Sequence, residues 1–454
     1  MESVCWPYFD PDFESLNQRI HPPMVCIDND TCEDCSLVKV ESANRHGILL
    51  EVVQVLTDLD LIISKAYISS DGRWFMDVFH VTDQLGNKLT DQRIIDYIQQ
   101  ALGAKQGGST TEVKTCLGRT VGVQSIGEHT AIELTGTDRP GLLSEISAVL
   151  TNLKCNVVAA EVWTHNMRVA CVVYVTDEST SRPIEEPEQL AAIKEQLSNV
   201  LKGNDDRRGV KTDFSMGLTH TERRLHQMMF ADRDYEGPDT RSLGENGRPI
   251  IKIENCNEKG YSVVTVHCKD RPKLLFDTVC TLTDMQYVVL HATITSSGTY
   301  ALQEYYIRHM DGCTLDTEGE KQRVIKCLEA AIERRVSEGV RLELCTSDRV
   351  GLLSDITRIF RENGLSVTRA DVTTRADKAV NVFYVTDTSG NPVDMKIVEA
   401  MRREIGHTIL QVKSIPSSPR PCPTDTGDKA KFSFGSLLKS QLERLSYNFG
   451  LIKS

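Results

Sequence analysis

One six-residue pattern occurs four times in this chain, and a repeat of this kind constrains the fold more than any single motif. Each copy begins with Asn or Asp, continues with Arg and ends in two aliphatic residues. The copies are residues 44–49 (NRHGIL), 138–143 (DRPGLL), 270–275 (DRPKLL) and 348–353 (DRVGLL). An alanine stands nineteen residues beyond the fourth position of every copy, at Ala66, Ala160, Ala292 and Ala370. This shared register predicts four copies of one structural unit.

The segments around each copy predict the same order of strands and helices. In the second copy, residues 130–135 alternate between apolar and polar side chains, which is typical of a strand. Apolar residues recur at helical spacing after Gly141, and Pro140 is expected in the first helical turn. Two strands joined by a short turn, a second helix and a further strand follow. The order βαββαβ predicts an α+β fold of four ferredoxin-like units.

The spacing of the copies also predicts domain boundaries and a pairing of the units. Similar segments at 25–29 and 251–255 precede the first and third copies, so the chain divides into two halves. We expect units 1 and 2 to form one pair and units 3 and 4 the other, with their antiparallel sheets joined edge to edge. The segment at 251–255 is expected to supply the strand for which unit 3 has no room. The predicted boundaries are an extension at 1–24, unit 1 at 25–125, unit 2 at 126–204, a linker with a short docked helix at 205–247, unit 3 at 248–338, unit 4 at 339–415 and a disordered tail at 416–454.

Composition and charge disfavour two classes of partner. The chain has 454 residues and a formal net charge of −12, whereas a large nucleic-acid footprint needs a basic face. No apolar run approaches the ~18 residues of a membrane span, and the N-terminal residues have the composition of neither a secretion signal nor a transit peptide. We therefore expect an intracellular protein, cytoplasmic and with nuclear residence left open, that binds neither nucleic acid nor membrane.

The cysteines predict no metal site. Cys32 and Cys35 form a lone CxxC, and a structural zinc site needs four ligands, usually from a second such pair. His21 and Cys26 lie nearby in the sequence, but no second ligand pair follows. The 14 cysteines are interpreted as thiols of a reducing compartment, and no metal or other cofactor is expected.

The repeated turn between a strand and a helix, followed by a hairpin, resembles the ACT domain, a small ferredoxin-like ligand-binding module. Four such units, with the segment TERRLHQMMF at 221–230 between the halves, closely resemble the plant ACT-domain-repeat (ACR) proteins. The units are also similar to the ACT pair of bacterial uridylyltransferase/uridylyl-removing glutamine sensors. The resemblance covers nearly the whole chain. It implies a non-catalytic regulatory protein that binds a free amino acid, with glutamine as the first expectation.

The strand-to-helix turn offers the chemistry that an amino acid needs. A helix N-terminus presents unpaired N–H groups and a partial positive charge, which suits a carboxylate. Asn44, Asp138 and Asp348 are expected to accept hydrogen bonds from the ligand ammonium. The ACT resemblance implies a ligand between two units, so small residues of the neighbouring strand should line the opposite wall. The predicted ligand-binding residues are Asn44, His46, Gly47, Ala66, Asp138, Pro140, Gly141, Ala160, Asp348, Gly351 and Ala370.

A purely structural interpretation of the same residues stays open. Asn or Asp before a helix is commonly a cap, and glycine commonly just permits a turn. Lys273 replaces the glycine in unit 3 and would obstruct approach to the backbone, so we expect that unit to be silent. His46 stands where two other units have Pro and one has Val. A polar ligand contact is one interpretation of His46, and an exposed loop histidine is the favoured one.

An enzyme related to nucleotidyltransferases is one alternative, and the absence of catalytic motifs disfavours it. The sequence contains no P-loop, no GxSxG or HExxH motif and no His followed by Asp. About 24 residues precede the first unit, too few for a catalytic domain. A scaffold that uses ACT pairs without a ligand is the other alternative. The expected partners are a free amino acid and a protein of unidentified nature, and a homodimer is compatible with the sequence.

Overall fold

The computed structural model describes residues 23–70, 74–103, 113–115, 120–121, 129–202, 209–215, 220–236, 248–256, 258–336, 339–375, 378–405 and 409–413. The tail predicted at 416–454 and most of the predicted extension at 1–24 lie outside these residues. Within them, no helix combines the length and the apolar character that crossing a membrane requires.

The first half of the chain contains units 1 and 2 and one connecting helix. Unit 1 consists of β1 (Met24–Asp28), β2 (Ser36–Ala43), α1 (Ile48–Asp58), β3 (Ile62–Ser70), β4 (Trp74–Thr82) and α2 (Gln92–Leu102). The short strands β5 (Val113–Lys114) and β6 (Thr120–Val121) pair with each other. Unit 2 consists of β7 (Thr130–Thr137), α3 (Leu142–Asn152), β8 (Cys155–His165), β9 (Arg168–Asp177), α4 (Pro187–Leu201) and β10 (Lys211–Ser215). The connecting helix α5 (Thr221–Ala231) follows, with a 3₁₀ turn at Asp234–Glu236.

The second half repeats this organisation. Unit 3 consists of β11 (Ile250–Cys256), β12 (Tyr261–Lys269), α6 (Leu274–Asp284), β13 (Tyr287–Ser297), β14 (Tyr300–His309) and α7 (Glu318–Glu333). Unit 4 consists of β15 (Val340–Ser347), α8 (Leu352–Glu362), β16 (Leu365–Arg375), β17 (Lys378–Asp387), α9 (Met395–Ile405) and β18 (Ile409–Lys413). The prediction of an α+β fold with four ferredoxin-like units is confirmed.

The units pair across the two halves of the chain. One sheet has the order β1-β2-β4-β3-β13-β14-β12-β11 and joins unit 1 to unit 3. The other has the order β10-β7-β9-β8-β16-β17-β15-β18 and joins unit 2 to unit 4. We call them sheet one and sheet two. The predicted pairing of unit 1 with unit 2 and of unit 3 with unit 4 is therefore wrong.

The two junctions are equivalent antiparallel pairings. At the junction of β3 with β13, Ala66 pairs with Ile294, and at the junction of β8 with β16, Val162 pairs with Ala370. The four junction strands are β3, β8, β13 and β16. All carry the same alternating pattern, so the edge of any one of them could pair with the edge of any other. Sequence adjacency was therefore a poor guide to the partner.

The outermost strand of a unit comes from either end of it. In units 2 and 4 the last strand, β10 or β18, pairs with the first strand of the unit. In units 1 and 3 a preceding strand, β1 or β11, takes the same place. The prediction for the segment at 251–255 is thus confirmed. Unit 1 also departs from the predicted βαββαβ order. Its outer strand is β1, which precedes the rest of the unit, and β5 and β6, which follow α2, do not join sheet one.

Helices cover one face of each sheet, and α5 covers the second face of sheet two. The helix-covered faces form two large apolar cores, one for units 1 and 3 and one for units 2 and 4. Leu225, Met228 and Met229 of α5 pack on Trp163 and Val172 of sheet two. On its other side α5 contacts α6 of unit 3. The docked helix expected within 205–247 is therefore present, and it lies between the two sheets.

Candidate functional site

The four repeated segments adopt one turn geometry between strand and helix. In unit 2, the Leu142 N–H donates to the Arg139 carbonyl oxygen over 3.1 Å, and Gly141 has φ 83° and ψ −3°. With Pro140 before it, this is a type II β-turn, which requires positive φ at its third residue. Pro140 thus lies in the turn, and the expectation that it begins the helix is wrong. Lys273 of unit 3 adopts the same left-handed conformation, with φ 67°.

The residues at the N-cap positions of α1, α3, α6 and α8 are three glycines and Lys273, and none of them makes a side-chain cap bond. The Asn44 amide instead donates to the Ser70 hydroxyl over 2.7 Å, and the Asp348 carboxylate accepts from the Thr374 hydroxyl over 3.1 Å. The Asp138 backbone N–H donates to the Met167 carbonyl oxygen over 2.8 Å. The Asn44 and Asp348 side chains thus bond a residue of the following hairpin, and the residues at the four N-cap positions, Gly47, Gly141, Lys273 and Gly351, supply no side-chain acceptor to their helices.

An arginine of every turn pairs with an acid six residues later, a regularity that the sequence interpretation missed. The pairs are Arg45 with Glu51, Arg139 with Glu145, Arg271 with Asp277 and Arg349 with Asp355. In units 2 and 3 the same guanidinium also donates to a carbonyl oxygen near the end of the second helix, that of Val200 or Ile332. The spacing Arg-x5-Asp/Glu is visible in all four copies, so the sequence contained the signal.

Two clefts lie at the junction between units 2 and 4. The first is bounded by the turn at 138–143, by α8 and by the start of β16. The second is bounded by the turn at 348–353, by α3 and by the start of β8. Each cleft thus combines the uncapped helix start of one unit with a helix and strand of the other. The cavity volume of each cleft is about 20 Å³, room for about one water molecule.

Glycine is required at both turns for conformation, and it also permits close packing. A Cβ atom at Gly141 would stand 3.0 Å from Cδ of Arg361, and one at Gly351 would stand 3.4 Å from Cγ2 of Thr151. Arg361 lies ten residues after Gly351, and Thr151 lies ten residues after Gly141, so the two contacts are reciprocal between the units. The two clefts are therefore equivalent in position but differ in charge, since only the first has a guanidinium beside its glycine. At Gly47 of unit 1, an added Cβ would have no atom within 4 Å among the described residues, apart from those of its chain neighbours.

The second cleft is the more polar of the two. Its lining includes Ser147, Thr151, Asn156, Thr374 and Asn381, whereas the first cleft is lined mainly by Leu, Ile, Val and Phe. Asn381 is 1% exposed, and its Oδ1 accepts no hydrogen bond from any residue that the structure describes. A buried acceptor without a donor costs ~1–3 kcal/mol, so a donor placed in this cleft would be favoured.

The three alanines that were predicted to line the opposite wall lie in the core instead. Ala66 and Ala370 are fully buried and Ala160 is 3% exposed, all beneath the helices. Their small size fits the junction between paired units, where helices of both units cross. The strand residues that line the clefts stand three positions earlier, at Val157 and Val367, immediately before a register shift in each strand. The assignment of the alanines to the ligand wall is therefore wrong.

The turn of unit 3 faces α5 rather than an open cleft. Lys273 Nζ donates to the Glu222 carboxylate at the start of α5. His220, which precedes α5, bonds Asp58 at the end of α1 over 2.5 Å. His46 is exposed, as one of its two interpretations expected, although partial desolvation and the nearby Arg223 guanidinium lower its pKa. A helix of the same chain therefore contacts the turn of unit 3, which supports the expectation that unit 3 is silent.

A buried network of charged groups continues from the turn of unit 3. The Asp277 carboxylate accepts from Arg335 Nε and lies against His226 Nε2, both at 2.7 Å. Arg334 makes a bidentate pair with Asp234, with both distances 2.6 Å, and Arg335 stacks on Trp163 of unit 2 with its guanidinium 4.6 Å from the ring centre. These groups connect unit 2, α5 and unit 3 in the space between the sheets.

Burial and the neighbouring charges set the protonation states of this network. Burial dominates for His226 and lowers its pKa to about 4, so the ring is neutral at neutral pH. The neutral ring then donates from Nε2 to Asp277 and accepts at Nδ1 from Arg334, 3.1 Å away. Burial opposes ionisation of Asp277, but Arg335 and Arg271 outweigh it and hold the pKa of Asp277 far below its usual range. The network is thus a set of ionised pairs bridged by one neutral imidazole.

The chain matches family models over most of its length. Residues 31–109 match the ACR family N-terminal ACT domain, and residues 130–201, 262–329 and 340–403 match the ACT domain. The chain is 61% identical over 455 residues to the ACT domain-containing protein ACR3 of Arabidopsis thaliana, covering 97% of this chain and 100% of that protein. It is 56% identical over 451 residues to the ACT domain-containing protein ACR4 of the same plant, covering 98% of each.

A more distant relative is bacterial. The bifunctional uridylyltransferase/uridylyl-removing enzyme of Gluconobacter oxydans (strain 621H) is 24% identical over 216 residues, which cover 47% of this chain and 21% of that enzyme. The similarity is thus confined to a minor part of the bacterial protein. The four matched domains and the high identity over the full length of the plant proteins show that the chain belongs to the ACR family of ACT domain-containing proteins.

Proposed function

We propose that this chain is a non-catalytic regulatory protein that binds a free amino acid between units 2 and 4, with the second cleft as its principal site. The observation that carries the proposal is the buried Asn381 oxygen, which lines a cleft beside an uncapped helix start and lacks a donor there. Glutamine remains our first choice of ligand, because its side-chain amide supplies such a donor.

The groups around the second cleft suit both ends of an amino acid. The N–H groups at the start of α8 can receive the carboxylate without a basic side chain. The Asp348 carboxylate accepts from the Arg349 N–H and the Thr374 hydroxyl, and a carboxylate has about four acceptor positions. It therefore retains capacity for a ligand ammonium. The hydroxyl and amide groups of Thr151 and Asn156 make this cleft more suitable for a polar side chain than the first cleft is.

Binding requires the second cleft to widen, and that requirement links the ligand to regulation. The cavity volume of the cleft is only about 20 Å³, room for about one water molecule. A buried amino acid must therefore move α8 relative to α3, which belong to different units. A ligand that binds the widened form better shifts the population toward it. Units 2 and 4 would then report the amino acid concentration as a change in their contact.

Calorimetry with the full-length chain tests the site. A thermal-shift comparison of the twenty amino acids first identifies the ligand, because a ligand of the native state raises the midpoint. The variant Asn381→Leu keeps the side-chain volume and removes the acceptor, and it should weaken binding by ~1–3 kcal/mol, or about 5- to 150-fold. Lys273→Gly is the matched control at the turn of unit 3, and its affinity should stay within about 0.5 kcal/mol of wild type.

The opposite ranking of these two variants would refute the assignment of the site. A native chain that responds to none of the twenty amino acids would refute the proposed ligand class. Circular dichroism of each variant controls for folding. Nucleotidyl transfer by the purified chain would refute the non-catalytic part of the proposal.

The exposed face of sheet one favours a second candidate function, a protein-binding scaffold. Tyr67, Met76, Tyr300 and Leu302 are 47–49% exposed on the face of sheet one that lies opposite its helices. The corresponding face of sheet two is covered by α5. A second copy of the chain is the simplest occupant of such a face. Light scattering of the wild type and of Leu302→Ser tests this candidate function, because a dimer built on this face should become monomeric in the variant.

A further inference from the structure

The loop between β1 and β2 brings two cysteines and a histidine together. Cys32 lies within this loop (residues 29–35), and Cys35 is its last residue before β2. His80 lies on the adjacent strand β4, where it pairs with Leu37 of β2. The donor atoms of the three residues all lie within 4.8 Å of one another. Both cysteines are free thiols. The sequence showed only the CxxC pair, because His80 is 45 residues from Cys35 and joins it only through the register of β2 and β4.

The separations of these donors suit one small tetrahedral cation. His80 Nδ1 is 3.5 Å from Cys35 Sγ and 4.0 Å from Cys32 Sγ. Metal–ligand distances of about 2.3 Å to sulfur and about 2.0–2.1 Å to nitrogen put two tetrahedral ligands about 3.6 Å apart. Two soft thiolates and an imidazole select zinc over magnesium or calcium. We propose that Cys32, Cys35 and His80 bind a zinc ion, with a solvent molecule as its fourth ligand.

The loop that carries the cysteines is held in place by its own hydrogen bonds. The Asp28 carboxylate accepts from the backbone N–H groups of Asp30 and Thr31, each over 3.0 Å, and pairs with Lys39 Nζ at 2.9 Å. Lys88 Nζ donates to the carbonyl oxygens of Asn29 and Cys32. The cysteines are therefore positioned before any cation arrives, and a preorganised site binds more tightly.

Unit 3 contains the same loop without the three donors. In unit 3, Asn255 and Ser262 hydrogen-bond each other, and both bond the Leu315 backbone. In unit 1, Asn29 and Ser36 make the same bonds to each other and to the Leu89 backbone. The position of Cys35 is taken by Tyr261 and that of His80 by Tyr306, whose rings meet edge to face at 5.3 Å. Glu258 stands in the position of Cys32. The fold thus forms this loop without cysteine or histidine, so their presence in unit 1 is not a requirement of packing.

Metal analysis of the full-length chain tests the proposal. The reduced protein is treated with a chelator, loaded with Zn²⁺, freed of excess metal and analysed for bound zinc. We expect about one equivalent in the wild type and almost none in Cys35→Ser and in His80→Asn. The control Cys313→Ser changes an exposed thiol outside the cluster and should keep the full equivalent. Co²⁺ loading should give the intense visible absorption of tetrahedral coordination with sulfur ligands in the wild type and the control only.

Two results would overturn the proposal. One is a wild-type chain that retains no more zinc than the double variant Cys32→Ser/Cys35→Ser. The other is an equal loss in Cys313→Ser, which would show adventitious binding by exposed thiols. Since His80→Asn alters a partly exposed residue, its circular dichroism should match the wild type, and zinc binding that survives in this folded variant would remove His80 from the site. Amino-acid binding between units 2 and 4 does not involve these residues, so the two proposals can fail independently.

Discussion

Asp77 is a buried carboxyl in the core of unit 1, and replacing it with Asn should stabilise the protein in a pH-dependent way. The residue lies on β4 with no exposed surface, between the buried Phe75 and Phe79. Burial raises the pKa of the Asp77 carboxyl to about 8, and the backbone N–H of Ser69 opposes this shift by less. Asn has nearly the same shape and no charge to bury.

The magnitude follows from the difference between folded and unfolded states. The unfolded carboxyl titrates near 3.8 and the folded one near 8. Below pH ~4 both states are protonated, so the carboxyl imposes no ionisation penalty on folding. As the pH rises toward 8, only the unfolded state ionises, and the native state loses ~1.4 kcal/mol of stability per pH unit. Asp77→Asn removes this penalty, so its gain should grow from near zero at pH ~4 to about 3 kcal/mol at pH 6 and about 5 kcal/mol at pH 8.

Urea denaturation at several pH values measures this difference. The matched variant is Gln303→Glu, which introduces a carboxyl at the equivalent position of unit 3, thirty residues after Lys273. Gln303 is 1% exposed and its Oε1 accepts from Thr278, so the variant should be destabilised increasingly as the pH rises. A stability difference between Asp77→Asn and wild type that is constant from pH 5 to pH 8 would refute the reasoning. It would mean that the Asp77 carboxylate has a partner and is already ionised.

Three further predictions concern the space between the sheets and the first cleft. Asp277→Ala should destabilise by ~3–5 kcal/mol in urea unfolding because it removes the buried carboxylate that Arg271, His226 and Arg335 share, whereas Asp355→Ala, at the equivalent and more exposed site of unit 4, should cost at most ~1 kcal/mol. Because burial lowers the pKa of His226 to about 4, the unfolded state gains its proton first, and stability should fall as the pH drops from about 6.5 to about 4. His226→Gln should flatten that part of the pH profile, and an unchanged profile would contradict a neutral buried ring. Gly141→Ala should lower the thermal midpoint, because the new side chain must adopt a positive φ and meets Arg361. Gly86 has the same φ and open space around it, so Gly86→Ala measures the contribution of φ alone.

Much of the local structure could be predicted from the sequence because it depends on short-range patterns. Four turns, the helices that follow them and the strand added before unit 3 were all visible in residue spacing. The helix α5 was also expected, since Leu225, Met228 and Met229 recur at helical spacing. Alternation, helical periodicity and turn chemistry each act within a few residues, so a single sequence contains them.

The pairing of the units could not be predicted in this way, because it depends on which strand edges meet. β3 and β8 alternate alike, and the backbone edge of one strand pairs with any other. What distinguishes the partners is the packing of α5 between the two sheets, where it buries Leu225 against Trp163 and places Glu222 beside Lys273. These contacts join residues more than fifty positions apart and have no signature in local spacing.

The position of α5 also explains why four similar turns have different roles. In units 2 and 4 the acids of the turn pairs, Glu145 and Asp355, are solvent-exposed, and the two turns open into clefts. In unit 3 the equivalent Asp277 is fully buried, because α5 and the end of α7 cover it with His226 and Arg335. The same Arg-x5-acid pattern therefore produces a surface ion pair in one unit and the centre of a buried network in another. Ligand exchange is then expected at the clefts of sheet two, while the turn of unit 3 holds the two sheets together. A ligand that widens the second cleft would act on β8, and Trp163 of β8 contacts Arg335, so the buried network would connect the proposed site to unit 3.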